Sequence, residues 1–212
     1  MASSTLPKPR TQRLRSKLFL WSVLGIVTLF VFITSEVWLV TDYPLYHSYR
    51  LQVIADRALL IPHALFGVTA LLTGPWQFST RLRQRNLQLH RILGRVYVGA
   101  VFFAAPLAFA ISWGRPLAPA TFTQGGAWFL CTAVAFIAAR NRQIPQHRAW
   151  MARSYAVTFT FITLRVLDPW PRYWNLSDQA NVINIIVVTF VAILTADLIL
   201  SWRDIFLPRR SA

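Results

Sequence analysis

The stretch HRILGRVYVGAVFFAAPLAFAISW, residues 90–113, decides the fold. Beyond Arg95 it carries no further charge before Arg115, and a helix rising 1.5 Å per residue needs about 20 such residues to cross a ~30 Å hydrocarbon core. The span proper is read as Ile92–Trp113. Working outward, five more runs of similar character are found at Leu18–Thr41, Ala58–Phe78, Phe122–Ala139, Ala149–Leu167 and Val182–Trp202. Gly and Pro interrupt the second and fourth spans, which membrane helices tolerate. With 55% hydrophobic residues and nine Trp in 212 residues, one water-soluble domain is excluded. The reading is all-α: a six-helix transmembrane bundle over 18–203. It is preceded by a basic leader (1–17) that reads as disordered, and followed by a short basic tail (204–212).

Charge orients the bundle, because positive residues concentrate in cytoplasmic loops. Lys8, Arg10, Arg13, Arg15 and Lys17 precede the first span, and Arg81, Arg83, Arg85, Arg91 and Arg95 cluster around the link from second to third. Arg140, Arg142, Arg148 and Arg153 flank the fourth link, and Arg203, Arg209 and Arg210 follow the last span. The opposite side holds only Arg50, Arg57, Arg115, Arg165 and Arg172, together with Asp42, Asp56, Asp168 and Asp178. Both termini are therefore expected in the cytoplasm, and the protein in a bacterial inner (plasma) membrane. The segment from Asp168 to Asn181, with Trp170, Tyr173 and Trp174, reads as an outer interfacial loop.

A net charge of +15 would suit nucleic acid if it lay on one soluble face. Spread along membrane edges, it instead favours anionic lipids at about 1 kcal/mol per residue near the surface. The expected partner is the bilayer with its anionic lipids, and no nucleic acid. Cys131 is the single cysteine, which removes disulfides and Cys-x-x-Cys metal pairs. No Walker box, Gly-x-Ser-x-Gly elbow or His-Glu-x-x-His box occurs, so nucleotide-driven and hydrolytic readings have no support.

Function is sought among the ionisable residues inside the spans, which are expensive there and usually face the bundle interior. On the cytoplasmic side, His90 and His147 sit at the rim, each followed by a deeper arginine, Arg95 and Arg153. Asp197 of the last span lies at similar depth and is expected to pair with Arg153. On the outer side, Glu36, His63 and Arg165 form a second polar cluster. His63 and His90 are each followed four residues on by a glycine, Gly67 and Gly94, and Tyr97 shares the His90 face.

The two boxes His90-Arg91…Gly94-Arg95…Tyr97 and His147-Arg148…Trp150-Met151…Arg153-Ser154-Tyr155, together with His63, Gly74-Pro75, Gln77 and Arg165, resemble a family of bacterial multi-pass membrane proteins catalogued as domain of unknown function 2306. The resemblance covers roughly residues 58–170 and implies an integral membrane protein without an agreed activity. The layout also resembles the inner half of the cytochrome b561 type, whose third and fifth helices supply one haem's ligands. The likeness stops there: the fourth span has no His to partner His63 in an outer haem.

Three site readings follow. His90 and His147 can be paired ligands of a haem b, with Arg95 and Arg153 on its propionates and Tyr97 alongside, in a redox or assembly-related protein. They can hold a copper or zinc ion, although no cysteine completes a zinc shell. Or they are interfacial anchors or an anion pocket in a non-enzymatic transporter or a lipid- or anion-interacting accessory protein.

Overall fold

The computed structural model describes residues 25–27, 29–30, 56–167 and 176–206, the last four by backbone alone. The chain divides into two compact units, Met1–His47 and Ser48–Ala212. Of the first, Gly25–Val27 and Leu29–Phe30 are helical, and the remainder of the first span, Glu36 included, lies outside the described residues. So do the leader, the tail beyond Phe206 and residues 168–175 of the expected interfacial loop Asp168–Asn181, whose last four residues are instead the first turn of a helix.

The second unit is helical throughout its described length: α1 Arg57–Gln77, α2 Thr80–Arg85, α3 Leu87–Ser112, α4 Ala118–Arg140, α5 Ile144–Leu167 and α6 Asp178–Phe206. Local chemistry sets the boundaries. Ser79 Oγ accepts from the Leu82 N–H at 3.2 Å and caps α2, while Asn86 Oδ1 accepts from the Leu89 N–H at 2.9 Å and caps α3. α4 stops in a paired C-terminal motif: the Gln143 N–H reaches the Ala138 carbonyl at 2.9 Å, and the Arg142 N–H reaches Ala139 at 3.1 Å. That motif needs a left-handed residue, and Arg142 supplies it at φ 59°. Because Asn86 caps so early, α3 begins five residues before the apolar run. His90 therefore lies inside the helix, one turn from its start, and His147 is likewise inside α5.

Four helices, α1, α3, α4 and α6, are long and apolar enough to cross a membrane. Their outward faces carry exposed Leu65, Leu72, Phe103, Leu130, Ile137, Val187, Phe190 and Leu194, as lipid contact requires. The count among the described residues is thus four rather than six. All but five residues of the first span fall outside them, and α5, though 24 residues long, is less apolar. The packing explains α5. It touches α1, α4 and α6, so its flanks face protein and can carry Ser154, Thr158 and Thr160, all buried. α3 lies between α1 and α4 and completes the bundle. Among the described residues no strand occurs.

Candidate functional site

The core of the bundle is tied by hydroxyls. Tyr97 of α3 is fully buried, and its phenol lies 2.7 Å from Ser154 Oγ and 2.8 Å from Thr158 Oγ1 of α5. Trp128 of α4 donates its indole N–H to Thr158 Oγ1 at 2.8 Å. Thr132 bonds Ser154 Oγ at 2.7 Å and its own Trp128 carbonyl at 2.7 Å, and Thr158 donates to the Ser154 carbonyl at 3.0 Å. Four hydroxyl protons thus serve five oxygen contacts, so one proton is shared. One turn toward the N-terminal end of α4, Gln124 Nε2 donates to Thr160 Oγ1 at 2.8 Å. Side chains paired across helices in this way hold membrane bundles together.

This network fixes the register of the two His-Arg boxes. Tyr97 stands seven residues after His90, and Ser154 stands seven after His147. The Tyr97–Ser154 contact therefore brings the two histidines to one level, two turns nearer the N-terminal ends of α3 and α5. Each is half-buried. His147 Nδ1 lies 2.9 Å from the Ala135 carbonyl of α4, which orients its ring. His90 Nδ1 is buried with no hydrogen-bond partner. His147, Arg83 and Arg91 all lie close enough to His90 to act on it electrostatically.

The deeper charges take different places. Arg153 Nη2 lies 2.8 Å from Asp197 Oδ1, and its guanidinium stands over the Trp150 ring, 4.6 Å from the centroid. The N–H direction misses Oδ1, so this is an ion pair by distance rather than an aligned hydrogen bond. Arg95 is exposed on α3. The Tyr97 hydroxyl is engaged with Ser154 and Thr158 in the core, below the histidine level.

Toward the end of the bundle away from the histidine pair, His63 Nδ1 lies 2.9 Å from the Ala104 carbonyl of α3, two residues before Pro106. Arg165 is exposed near the end of α5. Arg115, in the loop after α3, pairs with Asp56 at the start of α1 and ties those two helix ends together. The two glycines differ. A side chain at Gly67 would meet open space, whereas one at Gly94 would stand 3.0 Å from Gln77 Oε1. Among the described residues no group of three or more His, Cys, Asp or Glu could hold a metal ion, so no zinc shell is assembled there.

Sequence reasoning missed Gln77 as a site residue, as well as the hydroxyl network. A signal for the network existed. Gln124, Trp128 and Thr132 recur every four residues in α4, and Ser154 and Thr158 do so in α5, which puts hydrogen-bonding groups on one face of each apolar helix. Gln77 carried no such pattern.

Comparison with known proteins agrees with this architecture. Residues 60–201 match the family described as predicted membrane protein (DUF2306). No curated protein and no solved structure matches. With the match covering more than half of the chain and every described element from α3 to α5, this protein belongs to the DUF2306 family of predicted membrane proteins.

Proposed function

We propose that this membrane protein binds a small anionic group at the cytoplasmic edge of its bundle, between α3 and α5, as a non-enzymatic accessory or transport protein. In this reading it has six spans in a bacterial inner membrane, with the leader and tail in the cytoplasm. Anionic lipid then surrounds its basic inner rim. The one observation that carries the reading is the level histidine pair with an unpartnered buried His90 Nδ1. Among the described residues, the groups acting electrostatically on that ring are two arginines and an imidazole, and a buried polar atom without a partner asks for one from outside the chain. Donors gathered without a carboxylate suit an anion.

A second reading, haem between His90 and His147, is favoured by one feature. The Ala135 carbonyl engages His147 Nδ1, which leaves Nε2 as the lone pair a metal would take.

Two measurements bear on these proposals. A reporter active only outside the cytoplasm, fused after Ala212, should stay silent, and a strong signal would remove the orientation. The detergent-purified full chain, expressed with added haem, should be colourless, and its melting temperature should rise with millimolar inorganic phosphate or acetate. His90→Ala and His147→Ala should each abolish that rise, while Gln88→Leu, on the exposed face of α3, should keep it. A Soret band lost in either His variant would put the haem reading in place of the first. An unchanged melting temperature with both anions would remove the anion reading.

A further inference from the structure

Resting on that anion-binding reading, we infer that Gln77 and His90 form a socket for a phosphate oxyanion, floored by Gly94 and overlooked by Arg83. Gln77 is the last residue of α1, only 8% exposed, yet its Nε2 has no hydrogen-bond partner. Its amide lies against Gly94, with Oε1 at 3.0 Å and Nε2 at 3.8 Å from where a Cβ would stand. Gly94 is one turn above His90 on the same face of α3. Two unpartnered buried polar atoms, from different helices, thus stand on the same stretch of α3, one at Gly94 and one a turn before it. The third such atom among the described residues, Asp197 Oδ1, has the Arg153 charge beside it, whereas these two have nothing. Unmade bonds to buried polar atoms are costly, and native proteins keep few of them.

The surroundings select the ligand. Arg83 comes from α2, which Ser79 caps and which leads directly into α3. Arg83 and Arg91 act on His90, and among the described residues no carboxylate does so. Asp197, the acid of the inner half, is already occupied with Arg153. Donors arrive from the end of α1, from α2 and from the first turn of α3. A phosphate brings three acceptor oxygens to these three donors, one more than a carboxylate offers. In the proposed six-span arrangement the first turns of α3, ahead of its apolar run, stand at the headgroup layer. Exposed Leu87, Leu89 and Ile92 flank it as a phospholipid's chains would require. The phosphate can thus come from a lipid headgroup or from solution.

The test uses the full chain in detergent, with inorganic phosphate and a short-chain phosphatidylglycerol as probes, read by native mass spectrometry and by thermal shift. Gln77→Leu should weaken binding about tenfold, the worth of one charge-assisted bond. Gly94→Ala removes no polar atom but presses on the Gln77 amide, and should weaken binding severalfold in a fully folded protein. Gln88→Leu should bind as wild type. Lipid bound without free phosphate assigns the source to a headgroup, and equal response to both probes assigns it to phosphate itself; either supports the socket. If His90→Ala loses binding while Gln77→Leu or Gly94→Ala binds as wild type, the socket is overturned and the anion reading stands. If neither probe binds the wild-type chain but acetate does, the phosphate assignment alone is overturned. If no anion binds, both inferences go.

Discussion

Gly74→Ala should lower the melting temperature of the purified protein by roughly 3–10 °C, the equivalent of about 1–3 kcal/mol of overpacking in a protein of this size. A Cβ at Gly74 would stand 2.3 Å from both Cδ2 and Cε2 of Tyr155, and 3.2 Å from Cε2 of Tyr97. These are ring carbons, not the loose end of a flexible side chain. The Tyr155 ring is itself held, because its hydroxyl donates to the Leu71 carbonyl at 3.3 Å and its face meets Phe78 at 5.7 Å between centroids. Relief therefore requires α1 to move off α5, and small residues at such crossings are what allow membrane helices to approach. A Gly74→Ala protein that melts within about a degree of wild type would show that Tyr155 can turn aside at no cost, contrary to the overpacking estimate.

Thr158→Val should be the most damaging near-isosteric change in the core, at about 1–3 kcal/mol. Valine keeps the shape of threonine but removes the acceptor used by both the Trp128 indole and the Tyr97 phenol. Tyr97 retains Ser154, whereas the Trp128 N–H has no second partner among the bonds it makes here. The penalty should accordingly be shared unequally. Trp128→Phe in the Thr158→Val background should cost less than Trp128→Phe alone, since the orphaned donor is then gone. Strict additivity in that thermal-unfolding cycle would mean that the hydrogen bond adds nothing beyond packing.

Much of the fold could be read from composition and spacing, because a bilayer imposes a length and an apolarity that few other constraints imitate. The runs at Ala58–Phe78, Phe122–Ala139 and Val182–Trp202 correspond closely to α1, α4 and α6. The start of α3 was misjudged because Asn86 acts as a cap outside the apolar run, where hydropathy carries no information. α5 shows the opposite limit. Its threonines and serine dilute its apolarity because neighbouring helices cover them, and cover is a property of the assembly.

The candidate site divides in the same way. The repeated His-Arg boxes could be seen in the chain, and the seven-residue offset to Tyr97 and Ser154 gives them a common level. Which tyrosine does what could not be seen. Tyr97 bonds across to α5, while Tyr155, its counterpart in the repeat, turns to Gly74 and α1. Gln77 stood out only as part of the family resemblance, because an unmade hydrogen bond leaves no trace in a sequence.

The covered position of α5 also bears on how the protein is made. A helix carrying His147, Arg148 and Arg153 in its first half, and buried hydroxyls in its second, gains little by entering lipid alone. Thr132 and the Trp128 indole of α4 give its Ser154 and Thr158 hydroxyls their partners, and only the short turn at Asn141–Gln143 separates the two helices. In the proposed six-span arrangement the hydroxyls of α5 therefore enter lipid with the partners that α4 supplies, which makes the α4–α5 hairpin rather than the single helix the energetic unit of insertion.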